Sequence, residues 1–446
     1  MTNRLQEQFG YAYDAAGNLN QRTNNALVQS FNVNNLNELT TLGRSGTLTV
    51  AGTTTSPATN VTVNTANAVL YADSTFASTN QPLVNGTNTF TAIARDIYGR
   101  RSTNIANCYL LAANSCSYDL NGNLLSDGSR AFAYDDENQL ISVWVTNVWR
   151  SDFVYDGKLR RRIERDYAWS SGAWLQTNEV HYVYDGNLVI QERDANNLPL
   201  VTYTRGNDLS GTLQGAGGIG GLLARTDFGL LASGSGLGHA YYHADGNGNI
   251  TALINGSQAV VAKYLYDPFG NTLSMSGPLA SANVYRFSSK EWNANSGLYY
   301  YLYRFYDPNF QRWPNRDPQN EFGFRRIVST RWGKKNSEVN LYEFIRNNSI
   351  GFVDIYGLDV NNPPPCVPYP SCDYPPTPPD DSYDKCVQNC ENKLKIPIPD
   401  FPDACCTLAG VVGEACKKKG MGVLAIPGVW NAGVVVGCHA SCLIFK

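Results

Sequence analysis

Apolar and polar residues alternate over short runs along this chain, and Asp, Asn and Gly break the runs every few positions. HAYYH (His239–His243) alternates in this way, as do several segments of TLTVAGTTTSPATNVTVNTANAVLYADSTFASTNQPLVNGTNTFTAIARDIYGR (Thr47–Arg100). A period of two puts alternate side chains on opposite faces of a strand. With 40 Gly among 446 residues, turns are frequent and short strands are favoured over long helices. No segment reaches about 18 uninterrupted apolar residues, so no spanning helix is expected.

The turns carry a recurrent signature. Tyr-Asp pairs begin at Tyr13, Tyr118, Tyr134, Tyr155, Tyr184, Tyr266 and Tyr306. Several extend to Asp-x-x-Gly-Asn, as in YDAAGNL from Tyr13, YDLNGNL from Tyr118 and YDPFGNTL from Tyr266, and HADGNGNI from His243 ends alike. Tyr suits a strand and carries a polar tip. Asp opens a turn by bonding backbone amides, Gly or Asn closes it in the left-handed region, and Leu or Ile restarts the strand. One such unit cannot bury its own face, so neighbours must stack into a continuous sheet.

These units resemble YD repeats. RGNDLSGTLQGAGGIGGLLA (Arg205–Ala224), HAYYHADGNGNITALIN (His239–Asn255) and YRFSSKEWNANSGLYYYLYRFYDPNFQRWPNRDP (Tyr285–Pro318) resemble the RHS repeat-associated core, and NLYEFIRNNSIGFVDIYGL (Asn340–Leu358) its closing segment. The resemblance covers residues 1–42 and about 108–358. It implies a mainly β fold in which a spiral sheet forms a partial shell around or beside a variable C-terminal module. Expected divisions are YD repeats (1–42), a β-sandwich insert (43–107), further repeats (108–284), the repeat-associated core (285–358), a Pro-rich linker (359–380) and a cysteine-rich module (381–446). LVNGTNTFTAIARDIYG resembles the last strands of bacterial immunoglobulin-like modules, hence the sandwich. Cys108 and Cys116 flank the return to the repeats and are candidates to pair.

Composition changes abruptly after Leu358. Nine of the 11 cysteines lie beyond it, with no Arg, and Asn361–Pro379 holds nine prolines, an extended spacer. Cys386 and Cys390, and again Cys438 and Cys442, stand one helical turn apart, so two short helices stapled by disulfides are expected. Metal is disfavoured there, because C-x-x-x-C is not the usual zinc spacing and His439 is the sole His. This cysteine density points to an oxidising destination, secreted or at the cell surface. MTNRLQEQFGYAYD lacks the apolar core of a secretion signal, which fits either the C-terminal part of a longer exported protein or export without such a signal. Net charge is −3 and only 16% of residues are charged, so a basic nucleic-acid footprint is absent and no nucleic-acid partner is expected.

Several apparent sites have plainer readings. GAGGIG (Gly215–Gly220) matches a dinucleotide fingerprint, yet DLSGTLQ precedes it where an apolar strand belongs, and a tightly turning loop is expected. His239 and His243 lie on a strand with no third ligand nearby. RRRIER (Arg160–Arg165) reads as a solvated strand face. DACCTLAG resembles secreted phospholipases but lacks the His-Asp that would follow. No cofactor or metal site and no other enzymatic motif emerges.

The junction holds the remaining chemistry. In shell toxins of the resembled family, the core ends in Asp-Pro-x-Gly-Leu and an aspartyl-type site cuts after the Leu. The resemblance implies Asp317, preceded by Arg316, as one carboxylate, and Asp354, Gly357 and Leu358 as the cut motif, with cleavage after Leu358. Ile355 replaces the motif's Pro, and no Asp lies between Asp317 and Asp354; the nearest acids are Glu321, Glu338 and Glu343. The competing role for both Asp residues is turn fixation through side-chain-to-backbone bonds. The expected function is a toxin-like carrier in interbacterial competition. Its partners would be its own C-terminal module and an immunity protein or target-cell surface. A surface scaffold without toxin activity and a membrane-perturbing tail (Gly420–Gly437) are the alternatives.

Overall fold

Each Tyr-Asp unit folds as two antiparallel strands joined by a turn that the Asp side chain builds. In the computed structural model, which describes residues 7–318 and 340–358 and the backbone of Val360–Asn361, the Asp14 carboxylate accepts from the Ala16 and Asn18 amides at 2.9 and 2.8 Å. The Asn18 side chain donates to its other oxygen at 2.9 Å. Asp119, Asp245 and Asp267 repeat the set with Asn123, Asn249 and Asn271. Gly17, Gly122, Gly248 and Gly270 close these turns at φ +78, +84, +76 and +96°, a region that costs glycine little. Asn138 and Leu159 take the same place after Asp135 and Asp156.

In four units the tyrosine ties its hairpin to the one before it. The Tyr155 hydroxyl donates to the Leu140 carbonyl at 2.6 Å, Tyr184 to Arg161 at 2.7 Å and Tyr266 to Ile250 at 2.8 Å, while Tyr118 accepts from the Leu39 amide at 3.2 Å. In all four, the partner is the first residue after the preceding turn. A buried phenol needs such a partner for its tip, and here that need sets the register between hairpins.

The hairpins run in chain order as a 14-stranded antiparallel sheet from Ser117–Tyr118 to Thr272–Ser276, and an N-terminal sheet of five strands spans Phe9–Tyr13 to Ala113–Ser115. Successive turns of such a meander alternate between two rims. The turns opening at Asp119, Asp135, Asp156, Asp185, Asp245 and Asp267 therefore all lie on one rim, and a glycine-rich loop, 206–221, takes a place in the same series.

The sheet wraps around the segment that follows it. Phe305 meets the Phe153 ring at 4.8 Å, while the hydroxyl of the next residue, Tyr306, donates to the Phe269 carbonyl at 2.9 Å. Phe153 and Phe269 are eight strand steps apart, about 38 Å on a flat sheet at about 4.8 Å per strand. Consecutive Cα atoms are only about 3.8 Å apart, so the sheet bends into a partial shell. Trp313, Tyr299, Tyr301, Tyr306, Tyr342 and Phe344 fill its inside, each under 2% exposed. From this segment, polar groups reach the rim. Tyr342 donates to the Gly122 carbonyl at 2.8 Å, Asn315 to Asn138 at 3.1 Å, Asn347 to Gly17 at 2.8 Å, Ser289 to Gly248 at 2.7 Å and Tyr299 to Gly270 at 3.0 Å. Turn carbonyls left over by the ladder thus find donors.

Between Leu48 and Leu110, a three-stranded and a four-stranded sheet share a core of Val61, Val63, Phe76 and Phe90. Ala113–Ser115 then pairs with Leu39–Gly46, and Arg44 donates to the Leu110 and Leu111 carbonyls, so the repeat sheet resumes where it was interrupted. The candidate pairing of Cys108 with Cys116 is not made. Both are free thiols, Cys108 packed in the insert core and Cys116 beneath the repeat sheet beside Tyr118. The candidate disulfide residues Cys386, Cys390, Cys438 and Cys442, with the linker and tail, lie outside the described residues.

The stretch RRRIER corrects another expectation. Arg161 is fully buried rather than solvated. Its guanidinium pairs with Glu164 at 2.6 Å and Glu291 at 2.5 Å, and it lies 4.3 Å from the Tyr182 ring and 4.5 Å from that of Tyr300. A short-range alternation pattern cannot reveal that the opposite wall supplies a carboxylate. Glu192, bonded by the Tyr203 hydroxyl at 2.6 Å, adds a third buried acid. Burial, with the mutual repulsion of these acids, pushes Glu164 and Glu192 up to about 7.

Because the folded state favours the protonated form of these acids, stability is full below the unfolded carboxylate range and falls as pH rises toward and past 7. Glu192→Gln is therefore expected to flatten that decline and to raise the unfolding midpoint at about pH 8 relative to wild type. Thermal unfolding at mildly acid and mildly alkaline pH checks this, and parallel slopes for the two proteins would refute it.

Candidate functional site

The junction is a short hairpin. Val353–Asp354 pairs with Val360–Asn361, and Leu358 lies in the segment that connects them. The Asp354 carboxylate organises this turn, accepting from the amides of Tyr356 (3.1 Å), Gly357 (2.6 Å) and Leu358 (3.1 Å). Gly357 has φ +74°, and a Cβ there would lie 3.1 Å from the Tyr301 side chain and 3.2 Å from the Arg304 amide, so a side chain would be both strained and crowded. Leu358 is 1% exposed.

The carbonyls of the turn are held from the other side. Lys290 donates to Ile355 at 2.7 Å, the Tyr303 amide to Tyr356 at 3.2 Å, and Arg304 Nε to Gly357. Arg304 also pairs through Nη2 with Asp317 at 3.0 Å and donates to the Leu341 carbonyl at 3.2 Å, its guanidinium 4.2 Å from the Trp313 ring. The Asp317 amide itself donates to Leu341 at 3.1 Å. Arg304, Asp317 and Asp354 are all buried.

Two opposing influences act on Asp354. Arg304 and the backbone amides favour its ionised form; burial and the nearby Asp317 disfavour it. Burial dominates and holds the carboxyl up to about 6. The site thus sets a carboxyl that keeps its proton in mild acid near a carboxylate paired with arginine. Such a division suits general acid–base work on an amide.

Of the residues picked from sequence, Asp317, Asp354 and Leu358 meet here. Arg316 goes elsewhere, toward Gly122 and the Tyr342 hydroxyl. Glu343 bonds Asn347 beside the Gly17 turn, and Glu321 and Glu338 lie outside the described residues. Sequence reasoning missed Arg304 and Lys290. A buried carboxylate requires a counter-charge, and that demand was the available signal for Arg304 in YLYRFYDP. Asp354 fixes a turn, as the competing reading holds, and it does so at the junction itself.

The Gly215–Gly220 loop turns tightly around Asp208, whose carboxylate accepts from Ala216 at 2.7 Å and Gly218 at 3.0 Å. His239 and His243 lie within hydrogen-bond distance of Thr226 and Thr251 on neighbouring strands. Among the described residues, no group of three or more His, Cys, Asp or Glu side chains gathers to hold a metal, and no helix is long and apolar enough to cross a membrane.

No protein-family profile matches the chain. Among curated proteins it is 30% identical over 209 residues to the tRNA3(Ser)-specific nuclease WapA of Bacillus spizizenii, covering 46% of this chain and 8% of that protein. It is 25% identical over 253 residues to double-stranded DNA deaminase toxin A of Burkholderia cenocepacia, covering 54% and 16%. It is also 32% identical over 108 residues to toxin subunit YenC1 of Yersinia entomophaga, covering 24% and 10%. The chain is therefore related to bacterial toxin proteins and spans less than a fifth of the length of each of these. The crystal structure of TcdB2-TccC3-Cdc42 matches 79% of this chain and 17% of its own at 16% identity, with a TM-score of 0.41, too low to carry an argument.

Replacing Arg304 removes a buried ion-pair partner of Asp317. Arg304→Met is expected to cost about 3–5 kcal/mol, and the double variant Arg304→Met/Asp317→Asn to recover part of it. Denaturant unfolding measures both, and a single variant within about 1 kcal/mol of wild type would contradict the role given to this pair.

Proposed function

We propose that the chain is the C-terminal part of an exported toxin carrier, that its wrapped sheet holds or presents the residues beyond Leu358, and that it cuts itself after Leu358. The observation that carries this reading is the gathering of buried Arg304, its partner Asp317 and Asp354 at the turn that holds Leu358. The relatives' toxin names support the carrier role, with the module after Leu358 as the variable part, acting in interbacterial competition at or outside the cell surface.

In the proposed cut, a water oxygen bonds to the Leu358 carbonyl carbon. Its proton passes to the Asp317 carboxylate while protonated Asp354 gives its proton toward the carbonyl oxygen. Collapse breaks the C–N bond to Asp359: Asp317 passes the proton it took from water to the departing nitrogen, and a hydroxyl of the tetrahedral carbon returns one to Asp354, leaving a carboxylic acid at Leu358 and a free amine. Arg304 pairs with Asp317 and anchors the preceding carbonyl, so the substrate segment arrives already oriented.

The full chain, incubated from about pH 5 to about pH 8, should release the 88 residues from Asp359 to Lys446. Asp354 must carry its proton, so the rate should fall as pH rises past about 6. Asp317→Asn and Asp354→Asn should each slow release by about 100-fold or more. Intact mass measured over time decides; a wild-type chain that stays whole throughout this range returns the protein to a scaffold role.

A further inference from the structure

Lys290 is buried at a point where the fold gives an ammonium group little to gain. Burying a lysine is costly unless hydrogen bonds and opposite charge compensate. Its Nζ donates to the Ile355 carbonyl at 2.7 Å and to the Gly217 carbonyl at 3.2 Å. Around it stand Asp354 from the junction, Arg205 from the strand Pro199–Arg205, Asp208 from the glycine-rich loop and the Tyr301 ring at 5.2 Å. No carboxylate pairs with it directly among the described ion pairs. What it holds is backbone, from two segments more than 130 residues apart in the chain.

Both segments are shaped to let it do so. Gly217 has φ +60°, and a Cβ there would collide with the Ile355 carbonyl, so the loop and the junction touch backbone to backbone. Asp208 fixes the loop by bonding the amides on either side of Gly217. The Tyr356 hydroxyl adds a further tie, donating to Gln214 at 3.1 Å. Ile355 stands three residues before the cut, and the carbonyls between them are held by Tyr303 and Arg304.

Building on the self-cleavage reading, we propose that Lys290 is a positioning residue for the cut, locking the Ile355 carbonyl to the 206–221 loop so that the Leu358 carbonyl is presented in register to Asp317 and Asp354. A displacement of about 1 Å in a reacting group costs about 100-fold in rate, and among the described residues Lys290 is the side chain that donates to the Ile355 carbonyl. Burial also lowers the Lys290 ammonium to about 7, so its grip weakens above neutrality, when the stronger charged donor is lost.

The test follows fragment release by the full chain at about pH 6 and about pH 8 for wild type, Lys290→Met, Lys290→Arg and Gly217→Ala, each with its unfolding midpoint. Lys290→Met should cut about 10–100-fold more slowly at the lower pH, the loss expected for one charged hydrogen bond. Lys290→Arg should recover most of that rate and lose less activity than wild type between the two pH values, because arginine stays charged. Gly217→Ala should slow the cut with the amine still present. Lys290→Met cutting at the wild-type rate overturns the proposal, and so does a folded Lys290→Arg no faster than a folded Lys290→Met. Should Lys290→Met fail to fold, the pH comparison of wild type with Lys290→Arg decides, and equal declines count against the proposal. A wild type that cuts while these variants behave alike leaves self-cleavage standing without Lys290; a wild type that never cuts removes both.

Discussion

The bond on which the rest of this molecule depends is the one from a tyrosine hydroxyl to the backbone just past the previous turn. Antiparallel strands fix only their immediate neighbours, and a hairpin alone is marginal in water. Tyr155, Tyr184 and Tyr266 each reach across to the preceding unit, so these hairpins are registered against the ones before them. The ring body fills the inner face while the hydroxyl answers a carbonyl. Neither phenylalanine nor a shorter polar residue performs both tasks. A one-residue slip would turn each ring outward and leave its partner unbonded.

Regular stacking brings a second constraint. Because the Asp-built turns share a rim, their leftover carbonyls form a row, and the segment after Tyr285 answers them with amide, hydroxyl and ammonium groups drawn from distant points of its own short stretch. The described residues of that segment hold little regular secondary structure. Its shape is dictated from outside, by the positions of the turns, and its aromatic residues occupy the volume that wrapping creates. The junction inherits its geometry from the same arrangement: Arg304 and Lys290 both belong to this segment, and both end on carbonyls of residues 355–357.

Local chemistry was easy to read in the sequence and distant chemistry was not. Asp14, Asp119 and Asp267 announce their turns through the glycine and asparagine that follow, because all the atoms involved lie within five residues. Asp317, Asp354 and Leu358 were found through resemblance. Their partner Arg304 sits in a run of aromatics that reads as core and carries no local signal. Arg161 was misjudged for the same reason: three consecutive arginines look solvated until Glu291, 130 residues later, arrives beside one of them. The Cys108–Cys116 pairing failed because closeness in sequence is not closeness in space, and the insert core takes one thiol while the repeat sheet takes the other.

The alternation of turns between rims also limits how such a chain can change length. The insert between Gly46 and Ala113 leaves and rejoins the sheet at the rim away from the Asp-built turns, where no row of carbonyls waits to be answered. Growth by whole hairpins preserves the facing of every later turn. Adding a single strand would invert the polarity of everything downstream, and the closing segment would meet bare loops instead of the acceptors it is shaped to satisfy.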